Sequence, residues 1–89
     1  MLKISRGEGR KDEVLLKMEG ALSGSWVAEV RTTCDELLGG GGRIALDLRG
    51  VTYVDLAGSE LLGSLRDDSR VEIESASAFV VELLKGGAA

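Results

Sequence analysis

The stretch Tyr53-Val54-Asp55-Leu56-Ala57-Gly58-Ser59 is the most chemically specific arrangement in the sequence. An extended apolar run ends on an aspartate, and small residues follow it. An aspartate so placed accepts hydrogen bonds from the unpaired N–H groups that open a helix. Small side chains at Ala57 and Gly58 leave the first helical turn sterically open to a body approaching from outside. In an α/β sheet, ligands and partners dock at such carboxyl ends of strands.

Three carboxylates near this turn, Asp47, Asp55 and Glu60, are the raw material for a hard-cation or acid–base site, which needs several oxygens to converge. A structural assignment competes with that one and is the stronger. Asp55 serves as a cap, and Glu60 faces solvent from its helix. Asp47 lies inside an apolar strand and is expected to accept hydrogen bonds from nearby loop amides, because a buried charge has to be paired. The chain contains no histidine, so the commonest general base and the commonest metal ligand are both absent. Neither a Ser-His-Asp nor a Cys-His nucleophile can be assembled from this chain alone, and Cys/His zinc sites are excluded. The reading is therefore non-enzymatic, with no metal and no cofactor.

Cys34 has no neighbouring cation in the sequence to lower its pKa, and it repeats the apolar phase of its helix; it reads as a small core residue. The glycines at 39–42 resemble a phosphate cradle only superficially. A phosphate loop follows a strand and opens a helix, whereas these follow a helix and lead into a strand, which makes them a flexible connection. Trp26 opens a helix and is expected at the core boundary, an interface anchor being the competing role.

The elements that must position these residues follow from periodicity. Met1 to Ile4 reads as a short edge strand and Gly7 to Asp12 as a polar turn. Glu13 to Leu22 is a strand with Val14, Leu16 and Met18 on one face and Leu15 on the other, and Gly20 suggests a bulge or a close backbone approach. Ser23 or Ser25 caps a helix over about Trp26 to Leu38, whose apolar positions Trp26, Val27, Val30, Cys34, Leu37 and Leu38 share one face. Gly39 to Gly42 stops it. Arg43 to Leu48 is apolar on both faces, as a strand buried between layers requires, and Val51 to Val54 leads to Asp55. The next helix covers about Leu56 to Arg66, with Gly58, Leu61, Leu62 and Leu65 inward. Val71 to Glu74 is a short strand. Ser75 or Ser77 caps a last helix through Lys85, with Phe79, Val80, Leu83 and Leu84 inward and Gly86-Gly87 ending it. The order β-β-α-β-α-β-α predicts a small α/β domain over 1–89, with a mostly parallel or mixed sheet of about four strands and three helices packed on it.

Composition narrows the function. A chain of 89 residues holds one small domain. With 44% hydrophobic and 29% charged residues, it is ordinary for a globular protein rather than a disordered one. A net charge of −4 and only three aromatics, Trp26, Tyr53 and Phe79, argue against nucleic acid, which calls for a clustered basic face or a stacking platform. The longest apolar run, Ala78 to Val81, is far too short to cross a bilayer. No signal-peptide core is seen at the N-terminus. One cysteine makes no internal disulfide, which fits a reducing cytoplasm.

The run LDLRGVTYVDLAGSELL, Leu46 to Leu62, resembles the signature of STAS domains, the anti-sigma-factor antagonist module. Upstream, MEGALSGSWVAEVRTTCDELL is similar to that family's strand, turn and first helix. The resemblance spans about Glu13 to Leu84, with the span from Gly58 to Val71 about a turn shorter than is usual in the family. It implies a partner-switching protein that binds a serine-kinase-type anti-sigma factor and lets go when a serine in the turn is phosphorylated. Asp55 and Gly58 match the motif, while Leu56 and Ala57 stand at the two hydroxyl positions and Ala57 at the phosphoacceptor. Partner-binding residues would be Asp55, Leu56, Ala57, Gly58 and Ser59, with Ser59 the nearest alternative acceptor. Stand-alone STAS subunits of bacterial lipid-transport ABC complexes, which bind the ATPase, supply a second implied partner. The resemblance leaves a homodimer open.

Overall fold

The computed structural model describes residues 1–87. Its elements are β1 (Leu2–Glu8), β2 (Glu13–Leu22), α1 (Ser25–Gly39), β3 (Arg43–Val54), α2 (Leu56–Asp67), β4 (Val71–Ala76) and α3 (Ala78–Gly87). The four strands form one sheet in the order β1-β2-β3-β4. β1 runs antiparallel to β2, while β2–β3 and β3–β4 are parallel. The expected mixed, mostly parallel sheet is therefore present.

Both parallel crossovers advance across the sheet in the same direction. Crossovers of one hand then place α1 and α2 on the same face. One buried cluster joins Val27, Val30, Cys34 and Leu38 of α1 and Leu61, Leu62 and Leu65 of α2 to Leu16, Met18, Leu22, Ile44, Leu46 and Leu48 of the sheet, with Val80 of α3. Pleating alternates side chains between the two faces. Leu16, Leu46 and Ile73 form one row under the helices, and Leu15, Ala45 and Glu72 form the neighbouring row on the uncovered face.

Several boundaries differ from the sequence reading, each for a local reason. β1 extends to Glu8 because Arg6, Gly7 and Glu8 find ladder partners in Leu16, Leu15 and Val14. β3 is a single strand to Val54, since register shifts absorb the irregularity around Arg49 and Gly50. Gly20 makes a close backbone approach, with φ +106° and no room for a Cβ against the Met1 carbonyl oxygen, while the register shift beside it leaves the extra residue, Thr52, on β3. α1 is capped by Gly24, with no side-chain cap bond from either serine. Ser77 is the serine that caps α3: its hydroxyl accepts from Val80 N at 3.3 Å and donates to the Val51 carbonyl at 2.8 Å. α3 continues through Gly87 instead of stopping after Lys85.

Phe79 is the one expected core residue that faces out. It stays 43% exposed and lies against Tyr53, with ring centroids 6.5 Å apart. On a helical wheel it sits about a quarter turn from the centre of the Val80, Leu83 and Leu84 stripe. Trp26 is half-buried at the core boundary. Among the described residues, no helix is long and apolar enough to cross a membrane.

Cys34 is buried, as its helical phase demands. Burial, with a smaller contribution from the charge of Asp35, pushes its thiol up to about 11. The reactive thiolate is thus scarce at neutral pH. A thiol reagent such as Ellman's reagent should react with Cys34 only slowly in the folded protein and rapidly in denaturant. Equal rates in both states would mean that the helix face is misassigned.

Candidate functional site

The site is built around the end of β3. Asp55 has extended backbone angles, φ −83° and ψ −178°, and caps α2 as the sequence indicates. Its Oδ1 accepts from Gly58 N at 2.8 Å, and its carbonyl accepts the first intrahelical bond from Ser59 N at 2.8 Å. The other oxygen, Oδ2, accepts from Gly24 N at 3.0 Å, and Asp55 N donates to the Leu22 carbonyl at 3.2 Å. One carboxylate therefore ties the start of α2 to the loop that opens α1. Donation by Gly24 N, then by Gly58 N, holds the Asp55 carboxyl below its ordinary range.

Gly58 is required by a close approach. A Cβ there would lie 2.6 Å from the Leu22 carbonyl oxygen and 2.8 Å from Val54 Cγ1. The first turn of α2 thus presses directly on the end of β2, and a side chain at 58 would prise the two apart.

What remains outside this packing is Leu56 and Ala57. Leu56 is 77% exposed, and Ala57 beside it is also exposed. Ser59 is half-buried within the helix, and Glu60 faces solvent. The exposed Tyr53–Phe79 pair occupies the same carboxyl end of the sheet, and the sequence pattern missed it because Phe79 reads as part of the apolar stripe. The role of Gly24 was equally hidden, because it acts through a backbone N–H that every residue but proline carries.

Asp47 lies apart, on the uncovered sheet face. Its carboxylate accepts from Arg49 N at 3.1 Å and from both Nε and Nη2 of Arg49, at 3.1 and 2.9 Å. The Arg49 guanidinium holds this carboxyl below its usual range, while partial desolvation works the other way. The pairing expected of Asp47 is present, supplied mostly by a neighbouring side chain. Asp47, Asp55 and Glu60 do not converge, and among the described residues no cluster of three or more His, Cys, Asp or Glu side chains is placed to hold a metal.

A parallel sheet with one antiparallel edge, covered by three helices, and a capped helix start at the carboxyl end of a central strand define the architecture of a STAS-type module. The family model described as Mlab, STAS domain matches residues 6–86, and the chain belongs to the STAS family. Its fold is similar to the solved structure of the anti-sigma factor antagonist SpoIIAA in its unphosphorylated form. The TM-score is 0.74 at 17% identity, covering 97% of this chain and 81% of that one. A search of curated proteins returned no match.

Two predictions follow from this geometry. Gly58→Ala should lower stability by about 1–3 kcal/mol, the usual range for overpacking, because the facing atom is a backbone oxygen that cannot swing away. Chemical denaturation of parent and variant measures it, and an unchanged midpoint would refute the close approach.

The second concerns acid. Asp68 is held down to about 2 by hydrogen bonds from the Arg70 side chain and amide, and Asp47 and Asp55 are also lowered. Groups depressed in the folded state stabilise it above the unfolded carboxyl value of about 3.9, and that stabilisation is lost as pH falls through the folded values. Without histidine, no side chain of ordinary pKa titrates between about pH 5 and 8. The melting temperature should be nearly flat across that range and drop steeply from about pH 4 toward 2. A drop centred near pH 6 would contradict the assignment.

Proposed function

We propose that this chain is a non-enzymatic protein-interaction module that acts in the cytoplasm and holds an ATPase-type partner through the turn Asp55, Leu56, Ala57, Gly58 and Ser59. The observation that carries this reading is Leu56. Every other leucine of α2 is buried, yet Leu56 stands 77% exposed at the first helical position. The turn that presents it is fixed by the two-sided hydrogen bonding of Asp55. An apolar side chain held rigidly outward is suited to fill a pocket on a second protein, because little conformational freedom is left to lose on binding.

The resemblance to anti-sigma-factor antagonists points to a serine-kinase-type anti-sigma factor as the partner. Release by phosphorylation is not available at Ala57, which has no hydroxyl, and Ser59 lies half-buried in the helix. A contact with no phosphorylation release behaves as a standing subunit contact. That observation favours a second reading, in which the partner is the ATPase of a lipid-transport ABC complex. Affinity capture from the native host separates the two: a kinase-type ATPase supports the first, and an ABC ATPase with its permease supports the second.

The turn itself is tested on the captured partner. Ala57→Asp should leave the free protein folded, since the side chain can point to solvent. In a close contact it leaves an unpaired charge, which costs about 2–5 kcal/mol, or roughly 30- to several-thousand-fold in affinity. Ala57→Ser should bind nearly as the parent does. Titration calorimetry reads the affinities, with circular dichroism as the folding control. If Ala57→Asp binds as tightly as the parent, this turn is not the interface.

A further inference from the structure

A second surface lies at the far edge of the sheet. β4 pairs only with β3, so its outer side carries backbone groups without a strand partner. Ile44 N donates to the Arg70 carbonyl, which fixes the alternation of the ladder as far as Ile73, where the register shifts by one residue. Arg70 and Glu72 turn their backbone groups toward β3, and Ile73 turns its N–H and C=O outward. Beside this edge, α3 and β4 border an open groove of about 600 Å³, lined by the Ile73–Ala76 segment, Val81 and Leu84, with Arg66 and Lys85. That volume falls within the usual range of binding clefts.

The charges along β4 say what fits. Glu72 and Glu74 are exposed on either side of Ile73; Glu72 lies in the uncovered row with Ala45 and Leu15, while Glu74 also borders the groove. Among the described residues Glu74 has no ion-pair partner, and Glu72 has only a loose one in Arg10 at 3.7 Å. The two cations at the groove are already engaged: Arg66 donates to the Leu84 carbonyl and approaches Asp67, and Lys85 lies 4.0 Å from Glu82. A second copy of this chain is a poor occupant. Antiparallel pairing of β4 with itself about Ile73 sets Glu72 opposite Glu74 twice, and like charges directly opposed destabilise a strand pair.

We propose that β4 accepts an extended segment of a partner protein as an added strand. The segment carries an apolar residue opposite Ile73, seated in the groove, and basic residues on either side, opposite Glu72 and Glu74. Main-chain hydrogen bonds to Ile73 supply the attachment, and the alternating pattern supplies the selectivity. This surface is independent of the Asp55–Ser59 turn.

The probe is the synthetic peptide acetyl-Thr-Val-Lys-Ile-Arg-Val-Thr-amide, titrated into isotope-labelled full-length protein and followed by amide resonances. Saturable shifts should centre on Ile73, Glu74, Ala76 and Val81. Methylating the peptide's central isoleucine nitrogen should abolish binding, and replacing its Lys and Arg by Glu should do the same. Glu74→Lys in the protein should weaken binding about two- to tenfold, whereas Ala57→Asp should leave it unchanged, which keeps this test separate from that of the turn. The proposal is overturned by absent or unsaturable shifts, by equal binding of the methylated or acidic peptide, or by sedimentation showing that the chain self-associates through β4 instead.

Discussion

Two helices of this protein begin side by side, and each begins with unpaired N–H groups and the positive end of its dipole. The Asp55 carboxylate lies between them, one oxygen on Gly58 N of α2 and the other on Gly24 N at the cap of α1. Neither helix has an acidic residue in its own first turn, so this single carboxylate answers both dipoles. A neutral amide in its place would keep one acceptor and offer its other end as a donor, which cannot face a second N–H. Asparagine is a common cap elsewhere, but the geometry here calls for an acceptor on both sides.

That clamp sets what the neighbouring residues can be. Asp55 N also donates to the Leu22 carbonyl, and Gly58 passes so close to the same oxygen that a Cβ does not fit. The end of β2, the start of α1 and the start of α2 thus move as one piece. With positions 55 and 58 committed to the scaffold, Leu56 and Ala57 are the part of the turn that a second molecule can reach. The rigidity of the turn and the exposure of Leu56 have the same origin.

Much of the architecture was legible in the sequence because apolar periodicity is strong in α1, α2 and β3. The inward positions Val30, Cys34, Leu61, Leu62 and Leu65 are all buried, and Asp55 caps α2 through the side-chain chemistry that marks it in the sequence. What was not legible depends on partners distant along the chain. The cap of α1 is satisfied from thirty-one residues away, so the serines beside it looked like the natural cap. β1 lengthens because β2 offers it a ladder, which no local pattern in Arg6, Gly7 and Glu8 announces. Phe79 carries the hydrophobicity of a core residue but lies at the margin of its stripe, and a tertiary neighbour, Tyr53, decided its environment.

The position of α2 relates the two surfaces to each other. Its N-terminal turn carries Leu56 and Ala57, and Arg66 near its other end lines the groove beside β4. A helix of this length extends about 18 Å at 1.5 Å per residue, which separates the first turn from the groove beside β4. The two surfaces also differ in kind. One is an exposed apolar residue on a hydrogen-bonded turn, and the other is a strand edge with no strand partner. On the two proposals above, one larger protein with an apolar pocket and a basic extended tail would engage both at once, joining a compact contact to a flexible one. Such a pairing raises affinity through the effective concentration of the tethered segment, without any enlargement of either contact.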